Sequence, residues 1–100
     1  MLKLCVIGNL GSDSKVVKWN EKSFLTFSVG VTNAVKTKEN EKKEVTTWVE
    51  CSMPNSEMFE KYLKKGKKVF VEGSLTYDIW HGDKGEGVNI KCRVHNLFLL

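Results

Sequence analysis

The chain is short of arginine and cysteine, and each shortage excludes something. Its 16 basic residues are fifteen lysines and one arginine, Arg93, set against 12 acids for a net charge of +4. Arginine makes the bidentate contacts that read guanine edges, so its near absence argues against sequence-specific duplex recognition. Lysines track phosphates without reading bases, and a mild positive excess suits a polyanionic partner. The three cysteines, Cys5, Cys51 and Cys92, are odd in number, widely spaced and without a Cys-x-x-Cys pair. That is the pattern of free thiols in a reducing compartment. His81 and His95 are not paired at ligand spacing with any cysteine, so no metal site is expected. There is no apolar run of about 18 residues and hence no membrane span. Met1-Leu2-Lys3-Leu4-Cys5 enters a strand-like segment at once, without a signal-peptide pattern.

Catalytic patterns are missing as well. No Gly-x-Ser-x-Gly, no His-Glu-x-x-His and no cysteine–histidine pair occurs. Gly8-Asn9-Leu10-Gly11 lacks the spacing and the Lys-Ser/Thr end of a phosphate loop. The carboxylates are scattered among lysines rather than paired. The expectation is a non-enzyme without cofactor.

What is present is alternation. Residues 1–100 make one domain with a single modest core. Leu2, Leu4 and Val6 share a strand face that breaks at Gly8-Asn9-Leu10-Gly11, a device for bending a strand at a barrel corner. Val16 to Trp19 continues that strand, and Asn20-Glu21-Lys22-Ser23 turns. Phe24 to Thr32 is a strand with Leu25, Phe27, Val29 and Val31 on one face and Phe24, Thr26, Ser28 and Gly30 on the other. The mixed-charge stretch from Lys36 to Glu44 reads as a projecting hairpin tip or as a plain solvated loop. Val45 to Met53 sets Val45, Thr47, Val49, Cys51 and Met53 against Thr46, Trp48, Glu50 and Ser52. Trp48 therefore points away from the apolar face, where either a ligand or another subunit must cover it.

Pro54-Asn55-Ser56-Glu57 reads as a helix start, with Asn55 or Ser56 as the cap. Met58, Phe59, Tyr62 and Leu63 make an apolar stripe. Lys64 and Lys65 suit the helix C-terminus, and Gly66 suits a left-handed cap. In the strand that follows, Val69, Val71 and Leu75 oppose Phe70, Glu72 and Ser74. Further on, Tyr77 and Ile79 alternate with Asp78 and Trp80. Three glycines in Gly82-Asp83-Lys84-Gly85-Glu86-Gly87 mark a hairpin tip, and Val88 to Leu100 returns as the last strand. The fold class is mainly β: about five strands with one short helix between the third and fourth, the order of an oligonucleotide/oligosaccharide-binding (OB) barrel.

Aromatics interleaved with lysines on such a barrel suit single-stranded nucleic acid. Trp48, Trp80, Tyr77 and Trp19 are candidates to stack on bases, each stack being worth about 1–3 kcal/mol whatever the base. Lys3, Lys36, Lys38, Lys42, Lys43, Lys64, Lys65, Lys67, Lys68, Lys84 and Lys91 are candidates to line a phosphate path. A subunit interface is the competing use of exposed tryptophan.

Several segments resemble bacterial single-stranded DNA-binding proteins. Gly8-Asn9-Leu10-Gly11-Ser12-Asp13 is similar to their GNLGxDPE signature, and Thr46-Thr47-Trp48 to their T-x-W strand. Tyr62-Leu63-Lys64-Lys65-Gly66, Val69-Phe70-Val71-Glu72-Gly73-Ser74-Leu75 and Trp80 follow their YLxKGxxVxVEGxL…W block in order and spacing. The resemblance spans nearly the whole chain. It implies an OB-fold that assembles as a homotetramer, or as a dimer, and coats single-stranded DNA in replication, recombination or repair, in the cytoplasm at the nucleoid. Trp48 and Trp80 stand where the family stacks bases. Val35 and Pro54 stand where the family has further aromatics, and Thr76-Tyr77-Asp78-Ile79 replaces a basic run, so weaker binding than in a typical member is expected. The chain stops at Leu100 without the family's acidic tail, so recruitment of other proteins through a tail is not expected. An OB-fold accessory module built for protein contact, as in a primosome, is the alternative function. An RNA-binding OB domain is a further one.

Overall fold

The structure is a computed structural model; it describes residues 1–36, 38–39, 41–83 and 85–100, with Val35 by its backbone alone. The elements are β1 (Lys3–Leu10), β2 (Lys15–Trp19), β3 (Lys22–Lys36), β4 (Lys42–Pro54), α1 (Glu57–Tyr62), β5 (Lys68–Gly82) and β6 (Gly85–Leu99). The expected first strand is thus two. After Leu10 the chain bends at Gly11 and Ser12, and β2 exists because it pairs with β3 from Lys15↔Thr26 to Trp19↔Lys22. The helix consequently lies between the fourth and fifth strands rather than the third and fourth.

The sheet runs β1-β5-β6-β4-β3-β2, and β1 also pairs with β3. That second pairing, Asn9↔Gly30 and Leu10↔Val29, closes five strands into a barrel and leaves β2 as a flap on β3. Closure demands close backbone approach. A methyl group on Gly8 would collide with the Gly30 carbonyl, and one on Gly73 with the Arg93 carbonyl. The β4–β6 contact is parallel, from Val49↔Ile90 to Ser52↔Arg93. Between Glu72↔Asn96 and Gly73↔Val94 the β5–β6 register slips by one residue, leaving His95 as the extra one. This bulge changes the phase of β6, so that Cys92 and Val94 on one side of it and Leu97 and Leu99 on the other all meet the core.

The interior consists of Val6, Leu10, Leu25, Phe27, Val29, Val49, Cys51, Leu63, Val69, Val71 and Cys92. Each such aliphatic side chain contributes about 1.5–3 kcal/mol by leaving water. Ser56 caps α1, its side chain accepting the Phe59 N–H. The expected apolar stripe is only half right, because Met58 and Tyr62 are exposed. Phe59 packs against the core, and Leu63, at the helix C-cap, is wholly buried and stoppers one end of the barrel. The turn beyond it carries Lys64 and Lys65, with Gly66 at φ +88°, a conformation that only glycine adopts without cost. This turn is docked on the end of β1. Gly66 donates its N–H to the Leu10 carbonyl at 2.8 Å and Leu10 donates to that of Lys67 at 3.0 Å. Asn9 Nδ2 reaches the Gly66 carbonyl at 3.0 Å, and Asp13 accepts the Lys65 N–H at 2.8 Å.

Two long hairpins extend past the closed wall. β3 and β4 stay paired out to Lys36↔Lys42, and β5 and β6 out to Gly82↔Gly85.

Candidate nucleic-acid interface

The outer face of β4 follows from alternation. Val49 and Cys51 are buried in the barrel, so Trp48, Glu50 and Ser52 point out. Directly opposite Trp48 on β3 stands Gly30. A methyl group there would come within 2.8 Å of the indole, and one on Gly11 within 2.6 Å. The ring therefore lies down over two residues without side chains, and the whole residue remains 53% exposed. Thr32 and Thr46, the next pair along, share a hydrogen bond at 2.9 Å beside it.

Trp80 repeats the device. Its cross-strand partner is Gly87, and a methyl group on Gly87 would collide with the indole. Trp80 is 45% exposed. Both tryptophans lie on one side of the sheet. Glu50 pairs with Lys91 across β4 and β6, Lys91 shares its face with Asn89 and Gly87, and Gly87 is opposite Trp80. A groove lined by Ser28, Thr46, Trp48, Glu50 and Asn89 joins the Trp48 site to the root of the Trp80 hairpin.

The remaining candidates divide. Lys68 lines a groove with Asn9, Gly30, Thr32 and Trp48 and so stands beside the first indole. Lys36, Lys38, Lys42 and Lys43 are exposed on the β3–β4 hairpin, and Lys64 and Lys65 at the Gly66 turn, where Lys67 is half-buried. Lys91 lines the outer groove with Ser28 and Glu50 but forms an ion pair with Asp78, which holds its pKa above the usual lysine value. Lys3 lies in another cluster and is bound to Glu72 at 3.0 Å. That hydrogen bond raises Lys3 and lowers Glu72. Tyr77 is exposed on the reverse side of the β5–β6 hairpin, opposite Ile90, and does not join Trp80. Trp19, 69% exposed, stands at the far end of β2. Lys84 lies outside the described residues, as does the Val35 side chain.

Sequence reading missed the glycines beneath the indoles, since which residue lies opposite a tryptophan depends on register between distant strands. It also passed over Lys15, which lines the outer groove with Thr26, Ser28, Glu50 and Ser52. Strand alternation was the signal available for it. Among the described residues no group of three or more His, Cys, Asp or Glu could hold a metal ion, and no helix is long and apolar enough to cross a membrane.

Half-exposed indole rings with lysines beside them present π-faces and positive charge to a ligand. Comparison with known proteins agrees with this chemistry. The single-stranded DNA-binding protein of Xylella fastidiosa (strain Temecula1 / ATCC 700964) is 32% identical over 88 residues, covering 84% of this chain and 53% of that protein. That of Rickettsia felis is 33% identical over 89 residues, covering 84% and 59%. The chain thus spans a little over half the length of these curated relatives. Among solved structures, a Plasmodium falciparum SSB complex with ssDNA superimposes with a TM-score of 0.75 at 27% identity, over 100% of this chain and 95% of that one. The small single-stranded DNA-binding protein of Streptomyces coelicolor shares the fold, with a TM-score of 0.77 at 14% identity over 99% and 94%. Residues 1–96 match the single-strand binding protein family, and the chain belongs to that family.

Proposed function

We propose that the protein binds single-stranded DNA without sequence preference, coating and protecting it in replication, recombination or repair, and that it does so without catalysis. The observation that carries this reading is the pair of indoles, Trp48 and Trp80, laid over glycines on one outer face with about half of each residue exposed. A base stacks on such a ring whatever its identity, and duplex DNA offers no free base face. Lys68 beside Trp48 and the lysines of the β3–β4 hairpin supply phosphate contacts, which release counterions and make affinity fall steeply with salt. The site of action on this reading is the cytoplasm, at the nucleoid.

The reading includes self-association, as a tetramer or a dimer. Ile7, Phe70 and Phe98 stand in register across β1, β5 and β6. Ile7 and Phe98 are exposed, and the Phe70 and Phe98 rings meet with centroids 5.9 Å apart. A second copy would cover this row, and sedimentation measures the number of copies directly.

Anisotropy of labelled oligo-dT and of a duplex of equal length, at low and at raised salt, tests the function. The expected result is tight binding to oligo-dT, weakened but retained at raised salt, and weak binding to duplex. Equal affinities for the two would refute the stacking mechanism and leave a lysine-coated barrel.

A further inference from the structure

The face that carries Trp48 does not end there. Along β3, Gly30, Ser28, Thr26 and Phe24 point to the same side, paired with Trp48, Glu50, Ser52 and Pro54 of β4. On the other flank of β3, Thr26 pairs with Lys15, Phe24 with Val17 and Lys22 with Trp19. Phe24 is half-buried, while Val17, Trp19 and Pro54 are exposed, so an apolar patch that includes an exposed indole lies on this face. A groove bounded by Ser12, Lys15, Thr26, Ser28, Glu50 and Ser52 leads to it from the Trp48 site. Ser28 and Glu50 line both this groove and the one at Trp48. From Gly30 to Phe24 is about 20 Å at ~3.3 Å per strand residue.

We infer that Val17, Trp19, Phe24 and Pro54 form a second base platform, which takes nucleotides of the same DNA strand beyond those held at Trp48. The inference rests on the single-strand reading above and adds a direction to it: the strand runs from the Trp48 groove along β3 toward the β2–β3 turn. The occupant follows from continuity, since the patch lies on the same sheet face as the stacking site and is joined to it by a groove. Lys15 and Lys22 lie on that face and Lys18 on the adjoining one, all exposed. The acids along the way are Asp13, which already accepts the Lys65 N–H, together with Glu50 and Glu21.

The test compares oligo-dT of about 5 and about 10 nucleotides, within the span of roughly 4–16 covered by one OB barrel. Wild-type protein, Trp19→Ala and Phe24→Leu are titrated with both, and melting and sedimentation are recorded for each variant. Trp19→Ala is expected to bind the short oligonucleotide as wild type does. It should bind the longer one roughly five- to 150-fold more weakly, the equivalent of one lost stack. Phe24→Leu, which keeps an apolar side chain at the half-buried position, should lose part of that increment. The inference is overturned by equal losses at both lengths, or by none. It is also overturned by a change in sedimentation on Trp19→Ala, which would make the patch a subunit contact. Wild-type protein that binds neither oligonucleotide would overturn the single-strand reading itself, a result distinct from all of these.

Discussion

The barrel wall and its outer face use glycine for opposite ends. In the wall, Gly8 and Gly73 have no side chain because another backbone passes where it would be: the Gly30 carbonyl at one, the Arg93 carbonyl at the other. On the face, Gly11, Gly30 and Gly87 leave room for the flat of an indole. The wall glycines let the sheet shut, and what they enclose is the core with Leu63 at one end. The face glycines open nothing inward. They let Trp48 and Trp80 lie against the sheet with about half of each residue still in water. On the proposed reading one residue type serves stability in one place and binding in the other, and substitutions should separate the two.

The largest effect is expected at the stopper. Leu63→Ala removes a wholly buried side chain and should cost about 2–5 kcal/mol of stability. Oligo-dT affinity of the protein that remains folded should be nearly unchanged, a contrast read by urea unfolding beside DNA titration. Loss of affinity without loss of stability would break the division between wall and face.

Trp80→Ala should behave in reverse. Affinity for oligo-dT falls by about 1–3 kcal/mol, while stability moves within about 0.5 kcal/mol, as for a surface substitution. Gly87→Ala is subtler. The added methyl cannot coexist with the indole where it lies, so Trp80 must lift into water. The expectation is a red-shifted emission and an affinity between those of wild type and Trp80→Ala, with the melting temperature little altered. A marked fall in melting temperature would class Gly87 with the wall glycines.

A separate effect, confined to alkaline solution, concerns pH. Burial in the wall pushes the Cys51 thiol up to about 12 from an ordinary 9.0, with neighbouring Cys92 adding to the shift. Between those values the unfolded chain has lost the proton and the folded chain keeps it, so stability falls as pH rises above about 9, at up to about 1.4 kcal/mol per pH unit. Melting temperatures measured upward from neutral pH should show the decline, and Cys51→Ala should lessen it. The exposed Cys5 should meanwhile react with a thiol reagent at neutral pH long before Cys51 and Cys92 do.

Much of this was legible in the sequence. Alternation put Leu25, Phe27, Val29, Val49 and Cys51 inside and Trp48 outside, because a half-buried strand repeats every two residues. Local chemistry placed the helix start at Asn55 or Ser56, and Ser56 is the cap. Gly66 is left-handed as expected, but in the turn beyond the Leu63 C-cap rather than as the cap itself, and Lys64 and Lys65 lie past the last helical turn with it. What the sequence did not reveal depends on partners far along the chain. Val16 to Trp19 reads as strand, but as a continuation of the first one; that it is a separate strand, exposed at every residue, follows only from its pairing with β3. The bulge at His95 changes the phase of β6, and a strict alternation read across it assigns the wrong face on one side. Lys3 and Lys91 stood in the sequence as free charges, yet each holds a carboxylate across the sheet. The reverse placement of Tyr77 was readable, since it alternates with Trp80. Including it among the stacking residues set that alternation aside.

The central claim is that an indole bedded on glycine receives a base. Its most direct test is intrinsic tryptophan fluorescence titrated with oligo-dT, with an equal length of duplex as control, in wild type and in Trp48→Ala. The account predicts strong quenching by oligo-dT alone, persisting in part at raised salt and much reduced in the variant. Unquenched emission on binding, or quenching that is the same in Trp48→Ala, would contradict it.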